Sequence, residues 1–149
     1  MSGALIRPAR STDAGRTGAI LSGFIDETEW MPRIHTRAED LSFAADMIDR
    51  GWVHVVEAAG RVMGFSAHDG MIVHALYVDM AARGRGLGGV LLRHLQARQT
   101  ALSLWTFQSN LLAQKFYARH GFAEVERTDG AGNDEGLPDL RLYWERGAA

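Results

Sequence analysis

The hydrophobic and polar positions of this chain follow two different periods, and the period changes near residue 78. Between residues 52 and 78, three short segments rich in β-branched and aromatic residues are separated by turns that contain glycine. This pattern predicts an antiparallel meander of three strands. After Val78, the apolar residues from Leu87 to Leu95 follow the spacing of an amphipathic helix. We therefore expect hairpin-linked strands first, and alternating helices and strands afterwards.

The remaining segments complete a mixed sheet. Residues 11–13 offer N-caps for a first helix, and Thr36 with Glu39 has the spacing of a capping box for a second helix that Gly51 ends. The predicted strands are residues 4–7, 52–57, 62–68, 71–78, 101–107, 123–128 and 140–144, and a helix is predicted over residues 110–120. The order βααβββαβαββ predicts an α/β fold, with a central, mixed and mostly antiparallel sheet of about seven strands flanked by four helices.

Composition narrows the class of protein. A chain of 149 residues has the size of one domain, 1–149, and its net charge of −2 argues against a nucleic-acid partner. The absence of cysteine excludes disulfides, thiolate metal sites and a cysteine nucleophile, and the six histidines show no metal-binding spacing, so we assign no metal. No apolar run approaches the roughly 18 residues that a membrane span needs, and no secretion signal is apparent. We expect a cytoplasmic protein without a membrane partner.

The most specific pattern is a glycine-rich turn between a predicted strand and a predicted helix. It comprises Arg83, Gly84, Arg85, Gly86, Leu87, Gly88 and Gly89. Backbone N–H groups at the start of a helix lack partners and carry partial positive charge, and glycines let a phosphate approach them closely. The two arginines would add charge-assisted contacts. The turn is therefore interpreted as a cradle for a pyrophosphate, and the alternative is a turn that binds nothing.

Two better-known phosphate motifs do not fit this turn. A dinucleotide-binding fingerprint expects an acidic residue about 20 positions further on, where this chain has Phe107, Gln108, Ser109 and Asn110. The turn also follows hairpin-linked strands instead of opening a βαβ unit. A P-loop requires Lys followed by Ser or Thr after the glycines, and neither is present.

Two motifs together indicate a family. Arg83, Gly86 and Gly88 match the pattern Arg/Gln-x-x-Gly-x-Gly/Ala, and a second segment contains Asn110, Ala113, Phe116, Tyr117, Gly121 and Phe122 at matching spacing. With these motifs and its element order, the chain resembles the GCN5-related N-acetyltransferase (GNAT) superfamily. The resemblance implies acetyl-CoA as co-substrate. Its pantetheine arm would pair with the backbone of Leu76, Tyr77 and Val78, and its pyrophosphate would bind residues 83–89. Asn110 would cap its helix or bond the pantetheine arm.

The resemblance also suggests who moves the protons. Tyr117 occupies the position of the family's general acid. A phenol suits this role, because with a pKa near 10 it stays protonated and can donate to a departing thiolate. The alternative is a core tyrosine. Many members carry a glutamate on the fourth strand as general base, but residues 71–78 contain no acid. His74 could serve instead, since its ordinary pKa suits proton abstraction. It could instead be a core histidine, with a water chain as the base.

The expected reaction is direct transfer of an acetyl group to a primary amine of a small molecule or peptide. The alternative is a non-catalytic acyl-CoA-binding or regulatory module on the same fold. Two segments carry acidic and aromatic residues that suggest an acceptor site for a cationic amine, and the alternative is a solvated loop with scattered acids. These residues are Glu27, Glu29, Trp30, His35, Asp134, Glu135 and Asp139. Many relatives form homodimers, and the sequence leaves that assembly open.

Overall fold

Seven strands within residues 3–147, the part of the chain that the computed structural model describes, form one sheet. The sheet order is β1-β2-β3-β4-β5-β7-β6. Every neighbouring pair is antiparallel except β4 and β5, which are parallel. The strands are β1 (Leu5–Pro8), β2 (Val53–Ala58), β3 (Arg61–Asp69), β4 (Ile72–Val78), β5 (Ala101–Phe107), β6 (Ala123–Thr128) and β7 (Asp139–Glu145). The predicted mixed, mostly antiparallel sheet is confirmed.

Four α-helices accompany this sheet within the described residues, as predicted. They are α1 (Ala14–Glu27), α2 (Arg37–Asp49), α3 (Leu87–Arg98) and α4 (Leu111–Arg119). The capping box of α2 is present, because Glu39 N donates to Thr36 Oγ1 at 3.1 Å and Thr36 N donates to Glu39 Oε1 at 2.9 Å. Two short 3₁₀ turns, Ser11–Asp13 and Met80–Ala82, were not predicted. Across residues 3–147, no helix is both long and apolar enough to cross a bilayer.

The helices pack on opposite faces of the sheet. Adjacent residues of a strand point to opposite faces, and both Val55 and Val56 of β2 are fully buried. The Val55 face packs against α1 and α2, and its buried residues are Ile20, Met47, Val53, Val55, Val62, Phe65, Ala67 and Ala75. The Val56 face packs against α3, with Val56, Met63, Ala82, Leu87 and Leu91. The sheet is therefore covered on both sides.

A third buried cluster joins α3 and α4 to the far half of the sheet. Its members are Val73, Leu92, Leu95, Leu102, Leu104, Tyr117, Phe122, Leu140 and Leu142. Because Leu92 and Leu95 belong to α3, this cluster places α4 on the same face as α3. Tyr117 is held within it.

The parallel pairing of β4 and β5 stops after two residue pairs, Ile72 with Ser103 and Val73 with Leu104. A β-bulge lies at the same place, because Ala67 of β3 pairs with Ala75 while the next residue of β3 pairs with Val73, which leaves His74 as the extra residue. Beyond this point β4 remains paired with β3, and β5 with β7. The two strands therefore separate and open a cleft in the middle of the sheet.

Candidate active site

A cleft of about 660 Å³ occupies the gap between β4 and β5. Residues 73–78 of β4, residues 104–107 of β5 and the side of α4 form its walls, and the end of α1 with residues 28–31 closes one end. The sequence-predicted site residues that line it are His74, Leu76, Tyr77, Val78, Arg83, Gly88, Asn110 and Tyr117. The other predicted turn residues, Gly84, Arg85, Gly86, Leu87 and Gly89, adjoin the cleft at the start of α3 without lining it.

The glycine-rich turn leaves the start of α3 without a side-chain cap. Thr36 caps α2 and Asn110 caps α4, whereas Gly86, at the same position of α3, supplies no side chain. Gly84 and Gly86 adopt φ angles of +80° and +76°, which L residues with a Cβ rarely adopt. The turn is exposed, while Leu87 and Gly89 behind it are buried and anchor it. The unpaired N–H groups expected at a helix start therefore face a surface that an anion can reach.

Arg83 pairs with a carboxylate across the cleft. Its guanidinium contacts Glu27, the last residue of α1, and both side chains line the cleft. The Arg83 side chain is 47% exposed and that of Glu27 only 17%. Arg85 makes no ion pair within residues 3–147, so its charge is free at the turn.

Tyr117 lies between two aromatic residues, Phe116 of α4 and Phe122, which directly precedes β6. Its ring meets those of Phe116 and Phe122 edge-on, with centroids 5.1 and 5.3 Å away, and the residue is 8% exposed. Burial raises the pKa of the Tyr117 phenol well above its ordinary value, with a smaller contribution from Tyr77. Among the described residues its hydroxyl has no hydrogen-bond partner. Tyr117 is thus a protonated donor that lines the cleft.

His74 differs from the sequence-based expectation. The sequence places it on the side of Ile72, Leu76 and Val78, but the bulge interrupts the alternation of side chains at this residue. His74 is exposed, and its ring stacks on Trp52 with centroids 4.7 Å apart and planes at 12°. The alternative of a core histidine is therefore wrong. The imidazole is a cleft-lining group that solvent reaches.

Asn110 caps its helix, as one of the two sequence alternatives states. Its Oδ1 accepts a hydrogen bond from Ala113 N at 3.1 Å. Capping uses only this oxygen, and Nδ2 has no partner among the described residues. Asn110 also lines the cleft, so the amide can donate to a ligand while it caps α4.

The acidic acceptor site predicted from sequence is present only in part. Glu27, Glu29 and Trp30 line the cleft, and Trp30 meets Phe107 edge-on at 5.7 Å. The other predicted members do not line it, although Asp134 Oδ2 lies 3.9 Å from His35 Nε2. Glu135 is close enough to Tyr77 to help burial raise the pKa of that phenol to about 12. Asp139, the first residue of β7, accepts a hydrogen bond at 3.1 Å from Asn133 in the loop before it.

Sequence reasoning missed the group that holds the connection between α1 and α2 in place. The Arg33 guanidinium donates to the buried Asp40 at 2.9 Å and to the carbonyls of His35 and Ser22 at 2.9 and 3.1 Å. These bonds fasten the segment that carries Trp30 beside the cleft. Further cleft residues that the sequence did not reveal are Met31, Trp105, Phe107, Leu112 and Phe116.

Comparison with known proteins places the chain in a family. Residues 49–124 match the model of the acetyltransferase (GNAT) domain, a segment that runs from the end of α2 into β6 and includes the glycine-rich turn and Tyr117. The chain therefore belongs to the GNAT family of N-acetyltransferases.

Its relatives include N-acetyltransferases of bacteria. The peptidyl-lysine N-acetyltransferase YiaC of Escherichia coli is 35% identical over 97 residues, which are 64% of this chain and 63% of that protein. The peptidyl-lysine N-acetyltransferase YjaB of Salmonella typhimurium is 28% identical over 93% of this chain and 97% of that protein. The solved structure of YncA from Salmonella typhimurium, described with its cofactor acetyl-CoA, has a TM-score of 0.75 at 21% identity and covers 99% of this chain and 96% of that one.

Proposed function

We propose that this chain uses acetyl-CoA to acetylate a primary amine directly, and that the amine belongs to a lysine side chain of a peptide or to a small molecule. The observation that carries the proposal is one continuous cleft between the separated strands β4 and β5. It runs from the uncapped start of α3 to the hydroxyl of Tyr117. Two relatives described as peptidyl-lysine N-acetyltransferases support a peptide acceptor.

The residues present fit the co-substrate. The pyrophosphate would be held by the amides at the start of α3 and by Arg83 and Arg85, since a helix N-terminus and guanidinium groups both favour phosphate. Leu76, Tyr77 and Val78 pair with β3 on one side only, and their other edge has no β5 partner. This free edge suits the amides of the pantetheine arm, with Asn110 Nδ2 as an added donor. When bound, acetyl-CoA supplies the acyl group as an activated thioester.

Transfer requires protons to move at the sulfur and at the amine. The amine nitrogen bonds to the acetyl carbonyl carbon, the carbon–sulfur bond breaks, and the departing thiolate takes the phenolic proton of Tyr117. A cationic amine loses one proton before it attacks and a second as the amide forms, and His74 or water in the cleft passes both to solvent. The Tyr117 phenolate regains its proton from solvent before the next turnover. His74 is exposed enough to exchange protons with solvent.

A non-catalytic acyl-CoA-binding module is the alternative on the same fold. Tyr117 without a competing hydrogen bond supports the enzyme, because a purely structural buried tyrosine hydroxyl normally has a partner. The acceptor end of the cleft, beside Trp30, also leaves room for a substrate.

An acetylation screen tests the proposal. The protein is incubated with acetyl-CoA and with amines, amino acids and lysine-containing peptides, while thiol release and the mass of each acceptor are followed. We expect at least one cationic amine to gain an acetyl group as coenzyme A is released. Tight acetyl-CoA binding without transfer to any acceptor would favour the module. Location in the cytoplasm and assembly as a homodimer stay predictions, which fractionation and light scattering would check.

A further inference from the structure

The ion pair between Glu27 and Arg83 joins the acceptor side of the cleft to the turn that would hold the pyrophosphate. Glu27 ends α1, and Arg83 begins the glycine-rich turn. Both side chains line the same cleft, so one cation is within reach of two different anions. The first is the Glu27 carboxylate, and the second is the phosphate of the co-substrate.

The two partners are unequally free to move. The Glu27 side chain is 17% exposed and lies one turn beyond Phe24, whose ring packs on Tyr77 at 5.0 Å. Arg83 is 47% exposed and lies between the 3₁₀ turn Met80–Ala82 and Gly84, outside any helix or strand. The pyrophosphate accepts bidentate hydrogen bonds from a guanidinium and as a whole carries more negative charge than a single carboxylate. Arg83 is therefore the partner that would leave the pair.

When Arg83 moves to the phosphate, the negative charge of the Glu27 carboxylate loses its partner. A largely buried carboxylate without a partner is costly, and a cation that enters the cleft relieves that cost. The carbonyl groups at the C-terminal end of α1 add partial negative charge at the same place. Glu29 is the other carboxylate of the described cleft lining, but it is exposed and carries no ion pair within residues 3–147.

We propose that Glu27 is the binding site for the ammonium group of the acceptor, and that acetyl-CoA opens this site by drawing Arg83 away. This inference rests on the proposed function and adds its acceptor specificity and its order of binding. In the free protein Arg83 forms an ion pair with Glu27, so a cationic amine binds poorly there. Once the pyrophosphate holds Arg83, Glu27 accepts the amine and positions its nitrogen in the cleft.

Two measurements on the wild-type protein and two variants test the proposal. Calorimetry follows acetyl-CoA binding to the wild type, to Glu27→Gln and to the control Glu145→Gln at the end of β7, outside the cleft lining. Because the substitution removes the anion that competes for Arg83, Glu27→Gln should bind acetyl-CoA about fivefold more tightly or better. Its KM for a cationic acceptor should rise about tenfold or more, while its kcat changes less. Glu145→Gln should stay within about twofold of the wild type in both, as expected for an exposed charge away from the cleft lining.

The order of binding is tested without any variant. A lysine derivative blocked at its α-amine and carboxylate is titrated into the free protein and into the protein saturated with coenzyme A, which carries the pyrophosphate but no acetyl group. We expect at least about tenfold tighter amine binding in the presence of coenzyme A.

Equal amine affinity in both titrations would overturn the proposal. Weaker acetyl-CoA binding by Glu27→Gln would also overturn it, because Glu27 would then hold Arg83 in place for the phosphate instead of competing for it. An unchanged KM in Glu27→Gln would overturn it as well. If the wild type acetylates no amine at all, the proposed function is wrong. The acetyl-CoA titrations then still decide whether Glu27 and the phosphate compete.

Discussion

The imidazole rings of His54 on β2 and His94 on α3 lie 4.7 Å apart, with their planes tilted by 56°. The ring of His68 on β3 is stacked with that of His54, with centroids 6.2 Å apart. The Nδ1 atoms of His54 and His94 are buried and have no hydrogen-bond partner in the described part of the chain. Burial lowers the pKa of both, that of His94 to about 4, and the nearby charges of Arg98 and His68 act in the same direction.

These histidines predict a loss of stability in mild acid. A histidine whose pKa is lower in the folded chain binds more protons when unfolded, so the free energy of unfolding is unaffected above the ordinary pKa near 6.5. The free energy of unfolding falls as the pH drops from about 6.5 towards 4. Carboxylates with a lowered pKa, such as Asp13 and Asp79, lose their stabilising effect only at still lower pH. The measurement is the melting temperature at closely spaced pH values.

His94→Gln should flatten the decline of the melting temperature between pH 6.5 and 4, because its amide does not titrate. The wild type, measured over the same pH series, is the reference. An equally steep decline in His94→Gln would show that other groups cause the acid sensitivity.

Gly86→Val should abolish acetyl-CoA binding. A Cβ at Gly86 meets no atom of the protein within 4 Å, so the added side chain would point into the space from which a phosphate approaches the start of α3. The substitution also strains a backbone with φ of +76°. Gly60→Val in the β2–β3 turn is the matched control, because Gly60 has a φ of +75° and equally open surroundings but does not line the cleft.

Both glycine variants should lose similar stability, on the order of 1 kcal/mol or more. Only Gly86→Val should lose acetyl-CoA affinity in calorimetry, by at least about tenfold. Retained affinity in a folded Gly86→Val would disprove the role of the turn.

The sequence was sufficient for the elements of this fold because their signals are local. Glycine turns, the capping box at Thr36 and the helical spacing after Leu87 each depend on residues a few positions apart. The strands predicted over residues 101–107 and 123–128 agree with β5 and β6 to the residue. The glycine-rich turn could also be predicted from the sequence, since its residues are consecutive.

What the sequence could not reveal depends on pairing over long distances. Where β4 separates from β5, β5 stays in the sheet because β7, over 30 residues further along the chain, pairs with its whole length. The bulge that exposes His74 arises from the register with β3, and a regular alternation of side chains conceals it. The contact of Glu27 with Arg83 likewise joins α1 to a turn across the cleft.

His74→Gln separates the two routes for the amine proton. If water accepts the proton, the rise of kcat/KM with pH should persist in the variant, because the rise then reports the amine itself. We expect this outcome, since the stacking of His74 on Trp52 already accounts for the residue. The measurement is the pH profile of kcat/KM for the variant and the wild type, with melting temperatures of both. Disappearance of the rise in a folded variant would identify His74 as the base.

Tyr117→Phe should lower kcat by about 10²–10⁴, the range typical of a general acid. The substitution removes one hydroxyl that has no hydrogen-bond partner among the described residues, and it keeps the ring between Phe116 and Phe122. Acetyl-CoA affinity and melting temperature should therefore stay close to those of the wild type. Tyr143→Phe on β7 is the control, because that residue does not line the cleft and its loss should leave kcat unchanged. Full turnover by Tyr117→Phe would reduce Tyr117 to a packing residue and leave thiolate protonation to water.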